Sequence, residues 1–274
     1  MDGIELPQDE IVALDDIAPG VRGLRITFVN VFGITHADRS WTLIDTALPM
    51  SRSVIRSWAE KHFAGPPNAI MLSHGHFDHV SEAAPLADEW HVPIYAHPAE
   101  GPYLTGQREY PAPNPGAGGG MMSYLSPLLP KGPVELGSRL RLFPETQEEA
   151  IQLEEMPGWQ ILHTPGHTPG HISFFRPQDR VLLAADAFCT TKPESFFKAA
   201  ISQPGELHGP PSYFTWDWGL AKSSVGRLAA LEPLVVAPGH GKPVAGSDVA
   251  SALKELASRF DEIAVPDNRQ SSVA

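Results

Sequence analysis

The stretch MLSHGHFDHV at residues 71–80 places His74, His76, Asp78 and His79 within six positions. Imidazole nitrogens and carboxylate oxygens are donors that zinc, iron and manganese accept, whereas a soft thiolate site needs cysteines. The chain has one cysteine, Cys189. Three later apolar runs end in donors of the same kind: WQILHTPG leads to His167, VLLAA to Asp186 and LVVAPG to His240. One catalytic zinc takes about three protein ligands and a water. Seven candidates (His74, His76, Asp78, His79, His167, Asp186 and His240) are therefore too many for one ion and suit two that share a carboxylate. His74 and His76 lie two apart on an extended segment and point to one side. Asp78 and His79 lie beyond the turn and can face a second ion, with Asp186 as the natural bridge. Two ions about 3.5–4 Å apart hold a hydroxide at neutral pH and polarise a carbonyl or phosphoryl oxygen. That is hydrolysis without a protein nucleophile.

Something must bring these donors together. Each follows a short apolar run of strand character, and in open α/β folds ligand sites gather beyond the carboxyl ends of strands. Earlier, LRITFVNVFGI and SWTLIDTAL read as neighbouring antiparallel strands. A helix is expected from Ser51 to His62, NAIMLS is a buried strand, SEAAPLADEW is helical and VPIYAH is a strand. Later, SRLRLFP, WQILHT, HISFFRP, RVLLAAD and PLVVAPG are strands, with helices near Trp216 to Leu231 and Ser247 to Phe260. This alternation indicates an α/β layered fold, a two-layer β core with outer helices. Residues 105–133 differ, with six prolines and six glycines. They are expected to form neither a regular helix nor a central strand. Met121, Met122, Tyr124, Leu125, Leu128 and Leu129 are more than a free linker needs. The expectation is thus one domain over 1–274 with a long loop inserted at about 105–133. The Met-Met-Tyr patch suits a substrate lid and a homodimer contact equally.

The formal net charge is −12. An acidic surface repels phosphate backbones, so a small-molecule substrate is expected and nucleic acid is not. No apolar run approaches the ~18 residues of a membrane span. A single cysteine excludes a disulfide framework within the chain. The opening MDGIELPQDEIVALDD is acidic and lacks the basic and apolar regions of a secretory signal. A cytoplasmic protein away from membranes is the expectation.

HGHFDH fits the HxHxDH signature of the metallo-β-lactamase superfamily. HTPGHTPGH, AADAF and APGHG resemble its later motifs in the right order, and the similarity runs from VNVFGI and LIDTAL to PGHGKP. The resemblance implies an αββα sandwich, two mixed β-sheets face to face with helices outside and metals at one edge. Carried over by position, it implies one ion held by His74, His76 and His167. A second is held by Asp78, His79 and His240, with Asp186 bridging and Asp45 orienting the ligands from outside. The implied cofactors are two divalent ions, zinc first, with iron or manganese as alternatives. A hydroxide between them attacks a carbonyl of an ester or lactone, and Asp78 orients or deprotonates it.

Within the superfamily, class B β-lactamases generally lack the bridging aspartate. Homoserine-lactone lactonases resemble HTPGHTPGH but carry a tyrosine three residues after that aspartate, where this chain has Cys189 beside Phe188. Glyoxalase II has a longer helical C-terminal region. The chain thus resembles the lactonase and glyoxalase II-like branch. A mononuclear iron sulfur dioxygenase, a thioesterase and a promiscuous β-lactamase are the alternatives. The expected substrate pocket draws on His208, Met121, Met122, Tyr124 and Phe188. His163 and His171, flanking His167, are expected in supporting roles.

Overall fold

A computed structural model describes residues 3–132, 134–144 and 150–267. The N-terminal half contains strands β1 (Ile4–Glu5), β2 (Val21–Ile26), β3 (Val29–Thr35), β4 (Trp41–Ile44), β5 (Ile70–Met71), β6 (Ile94–Ala96) and β7 (Leu140–Leu142). Its helices are α1 (Arg52–His62), α2 (Phe77–Val80), α3 (Ala83–Trp90), α4 (Gly101–Leu104) and α5 (Met121–Leu125). The C-terminal half contains β8 (Ala150–Ile151), β9 (Gln160–His163), β10 (Ile172–Arg176), β11 (Val181–Ala185), β12 (Glu206–Leu207), β13 (Val235–Pro238) and β14 (Val244–Ala245). Helices α6 (Trp218–Ala230), α7 (Val249–Ser258) and α8 (Phe260–Ile263) complete it.

Two six-stranded sheets result, ordered β2-β3-β4-β5-β6-β7 and β14-β13-β11-β10-β9-β8. Both are mixed. In the first, β2, β3 and β4 pair antiparallel and β4 to β7 parallel. In the second, β11 and β13 run parallel inside an otherwise antiparallel set.

The two-residue period of a strand sorts the side chains into layers. Phe32, Ile34, Ile44 and Met71 point inward and meet Ile161, Ile172, Phe174, Leu183 and Ala237 between the sheets. Their neighbours Val31, Leu43 and Ile70 point outward, under Ile55 and Trp58 of α1 and Leu86 of α3. Likewise Phe175, Leu182 and Val236 lie under Val225 of α6 and Leu253 of α7. Sheets covered on both faces explain why these strands read as continuous apolar runs. The architecture is the αββα sandwich expected from the resemblance.

The loop at 105–133 departs in one respect from expectation. Residues 121–125 form the short helix α5. The proline-free MMSYL follows a glycine run, so no ring blocks one turn of helix there. The loop's ends are tied by a bridge between Thr105 and Glu135 and by the Gly106 N–H to the Val134 carbonyl at 3.0 Å. Its interior is pinned by the Met122 N–H to the Glu194 carbonyl at 3.0 Å and the Asn114 N–H to the Tyr213 carbonyl at 2.8 Å. Among the described residues no helix is long and apolar enough to cross a membrane.

Phe174 lies fully buried between the sheets. Phe174→Ala is expected to cost about 3–5 kcal/mol of unfolding free energy, the range for a buried phenylalanine truncation. Denaturant unfolding with the denaturant slope compared between variants measures it. A loss under about 1 kcal/mol would contradict this packing.

Candidate metal centre

The donors sit where strands end. Asp45 follows β4, and His74, His76, Asp78 and His79 follow β5. His167 lies on the turn between β9 and β10, Asp186 follows β11, and His240 follows β13. β4 and β5 are parallel neighbours in one sheet, as β11 and β13 are in the other, so their carboxyl ends share an edge. Backbone bonds join the two sheets there. The Ile172 N–H donates to the Ser73 carbonyl at 2.9 Å and the Asn30 N–H to the Gly239 carbonyl at 2.8 Å.

All seven side chains are buried. Their donor atoms form three overlapping groups, each within 4.8 Å: His74, His76 and His167; His74, His79 and Asp186; Asp78, His79 and His240. Asp186 stands between them. Its Oδ2 is 3.1 Å from His240 Nε2 and 3.5 Å from His167 Nε2, and its Oδ1 is 3.5 Å from His79 Nε2. His76 Nδ1 and His167 Nε2 approach to 2.9 Å.

The ring nitrogens facing away are held. His79 Nδ1 lies 2.8 Å from Asp45 Oδ2, His240 Nδ1 lies 2.8 Å from the Phe28 carbonyl, and His167 Nδ1 lies 3.3 Å from Thr215 Oγ1. His74 Nδ1 lies 3.0 Å from Ser73 Oγ, which itself donates to Asp45 Oδ2 at 2.7 Å. An N–H committed outward leaves the inward Nε2 as a lone pair, the tautomer a metal ligand needs.

A test of fit lies in the unmet atoms. His74 Nε2, His79 Nε2 and Asp186 Oδ1 are buried with no hydrogen-bond partner among the described residues. Leaving such atoms unmet costs about 1–3 kcal/mol each. Divalent cations held by these groups would satisfy all three, and the donor set is of the kind such cations accept. The electrostatics agree. Burial holds His74 and His167 well below the ordinary histidine value and His76 at about 3, so they are unprotonated at neutral pH. Burial opposes charge at His79 too, but Asp186, Asp45 and Asp78 outweigh it and hold that ring well above the ordinary value, so a cation there would take the place of a proton on Nε2. Burial likewise opposes ionisation of Asp186, yet His240 and His79 hold it well below the usual carboxylate range. Asp186 therefore stands as an anion that seeks positive charge.

The backbone is constrained to make this arrangement. Asp45 and Ala185 hold φ of +61° and +45°, a region non-glycine residues rarely enter and one that clusters at functional sites. A register shift in the β11–β13 ladder lies between Leu183 and Ala185, and it re-aims Asp186. Gly239 has to be glycine, because a Cβ there would come within 2.1 Å of Asp186 Oδ1.

The expected pocket residues fare differently. Phe188 is fully buried in the apolar layer under α6 and α7, so it is a core residue and not a pocket wall. Met122 is likewise buried, in the layer outside the first sheet, while Met121 and Tyr124 are 52% and 77% exposed. His208 is buried, its Nε2 3.1 Å from Glu206 Oε2, on a small cavity shared with Lys192, Glu194 and Ile263. His171 supports the centre as expected, its Nε2 accepting the Asp186 N–H at 3.0 Å.

Close to the ligands also lie two aromatic rings and a carboxylate. The rings of Tyr110 and Phe214 lie 4.6 and 4.8 Å from that of His76. Glu100 reaches both ligand-bearing loops. No local pattern marks a lone tyrosine in REYPAPN or a lone glutamate in AHPAEGP.

A family model described as the metallo-beta-lactamase superfamily matches residues 24–240. The probable metallo-hydrolase YflN of Bacillus subtilis (strain 168) is 41% identical over 252 residues, which cover 90% of this chain and 94% of that protein. Among solved structures, TTHA1623 in a di-iron-bound form is 25% identical with a TM-score of 0.54, covering 83% of this chain and 96% of its own. ST1585 from Sulfolobus tokodaii, described as an archaeal metallo-beta-lactamase superfamily protein, has a TM-score of 0.60 at 14% identity, covering 93% and 89%. At that identity the likeness is one of fold.

Asp45 accepts from Ser73 N–H, Ser73 Oγ and His79 Nδ1. Asparagine tolerates the same left-handed backbone but turns one acceptor into a donor facing other donors. Asp45→Asn is expected to weaken metal affinity about 10–100-fold, the usual effect of losing an outer partner. Competition against a chromophoric chelator reads this, and unchanged affinity would contradict the orienting role.

Proposed function

The chain belongs to the metallo-beta-lactamase superfamily and is a metallo-hydrolase; from that premise we propose that it is a binuclear hydrolase of small-molecule esters or lactones. On this reading His74, His76 and His167 hold one ion, Asp78, His79 and His240 hold the other, and Asp186 spans both. The observation that carries it is the set of three overlapping donor groups, each within 4.8 Å, with inward nitrogens left free by outward hydrogen bonds. TTHA1623, solved in a di-iron-bound form, supports a pair of ions in this fold and keeps iron beside zinc as the native metal.

Two divalent ions, when bound, supply Lewis acidity and bring the pKa of a water to about 7. The chain's own groups do the rest. Asp78 Oδ2, 3.6 Å from His240 Nε2, orients the attacking water and takes its proton. Burial raises the Asp78 carboxyl above the usual range, which suits a proton acceptor. His74, His76 and His167 stay neutral and fix geometry without supplying protons. Phe214 and Tyr110, packed on His76, exclude water from that side and give an apolar part of the substrate a surface.

An aspartate in the bridging position, which class B β-lactamases generally lack, favours an ester or lactone over a β-lactam. Cys189 is no substitute nucleophile, because burial pushes its thiol well above the ordinary value. The net charge of −12 favours a substrate that is not a polyanion.

Metal analysis of carefully purified protein is expected to give about two ions per chain. The loaded protein should then cleave lactones or aryl esters in a panel that also holds β-lactams, phosphodiesters and glutathione thioesters. Asp186→Ala should lower kcat/KM at least about 10²-fold, as befits loss of the carboxylate that spans both ions. Fewer than one tightly bound ion per chain would sink the binuclear reading, and turnover confined to another class would sink the substrate assignment.

A further inference from the structure

Glu100 is fully buried and lies at the start of α4, outside every donor group described above. Its Oε2 accepts the Gly75 N–H at 3.0 Å and the Tyr110 hydroxyl. Its Oε1 accepts the Thr168 hydroxyl at 2.8 Å and the Gly170 N–H at 2.7 Å. A carboxylate has about four lone-pair positions, and here four donors fill them. Gly75 stands between His74 and His76, and Thr168 follows His167. One side chain therefore grips a residue adjacent to each histidine of the first donor group.

The grip is close enough to demand glycine on both sides. A Cβ on Gly75 would lie 2.5 Å from the Tyr110 hydroxyl oxygen, and one on Gly170 would lie 2.7 Å from Glu100 Cγ. Tyr110 brings in the long loop as well, its ring stacked on Tyr103 at 4.1 Å and set against His76. Burying a carboxylate costs several kcal/mol unless donors meet it. A fold gains little from doing so at a mere turn, and more from fixing two separate loops at one distance.

We propose that Glu100 is a positioning residue that sets the separation of His76 and His167, and with it the geometry of the ion that His74, His76 and His167 hold. This rests on the metal reading above. The loops bearing these ligands belong to different sheets, so no single ladder fixes their spacing. In the Glu100→Gln variant the amide must turn its NH2 toward the donors on one loop. The Tyr110 and Thr168 hydroxyls can reverse and accept, but the bond from the Gly75 N–H or that from the Gly170 N–H is then lost.

Cobalt(II) added to the metal-free full chain tests this, with the visible absorption bands of the bound ion reporting geometry and a chelator titration reporting affinity. Glu100→Gln is expected to bind cobalt about 10–100-fold more weakly, with shifted bands. Thr168→Ala, which removes one donor and keeps the carboxylate, should shift the bands the same way by less. A wild-type chain that loads while Glu100→Gln has the same affinity and bands overturns the proposal, whatever the variant's melting temperature. If Glu100→Gln does not fold, a Thr168→Ala variant with unaltered bands overturns it. A wild-type chain that takes up no cobalt overturns the metal reading, and this inference with it.

Discussion

Five imidazoles and two carboxylates are buried against one another at the edge where two sheets meet, and three of their inward atoms, His74 Nε2, His79 Nε2 and Asp186 Oδ1, lack hydrogen-bond partners among the described residues. That constraint organises the molecule. Buried polar atoms are ordinarily paired, and buried charge is tolerated only when met by opposite charge or a metal. Asp186 is held anionic while His74, His76 and His167 are held neutral, so the cluster offers lone pairs and negative charge toward its own centre. Such an arrangement stabilises a cation and little else.

The sandwich supplies the rigidity that this concentration of polar groups requires. Each donor leaves a strand whose neighbours are apolar on both faces, so backbone positions at the edge are set by packing between and outside the sheets. Side-chain orientation is then set by fixed partners: Asp45 and Ser73 for the first sheet, Thr215 and the Phe28 carbonyl for the second, while His171 holds the Asp186 backbone N–H. Glu100 acts across the two sheets, which is where the ladder hydrogen bonds of either sheet cannot reach.

Much of this was legible in the residues. The donors announced themselves because four of them crowd one turn and three more follow apolar runs, and the strand periodicity placed them at carboxyl ends. Asp45 was legible only through the LIDTAL resemblance, since its role depends on reaching Ser73 and His79 some thirty positions away. Glu100 and Tyr110 were not legible. Each works through a contact distant in sequence, and a lone glutamate or aromatic carries no spacing to read. Phe188 was misplaced for a related reason. An aromatic two residues past Asp186 looks like a pocket wall until the layer under α6 and α7 is seen to enclose it. The helix at 121–125 was missed because proline and glycine counts over the whole of 105–133 hid a short stretch that contains neither.

The central claim is that this edge holds two ions bridged by one aspartate. Anomalous diffraction from crystals of the metal-loaded chain, recorded on either side of the metal's absorption edge, measures it directly. Two peaks about 3.5–4 Å apart are expected. One should lie among His74, His76 and His167, the other among Asp78, His79 and His240, with Asp186 between them. A single peak, or a pair away from Asp186, would contradict it.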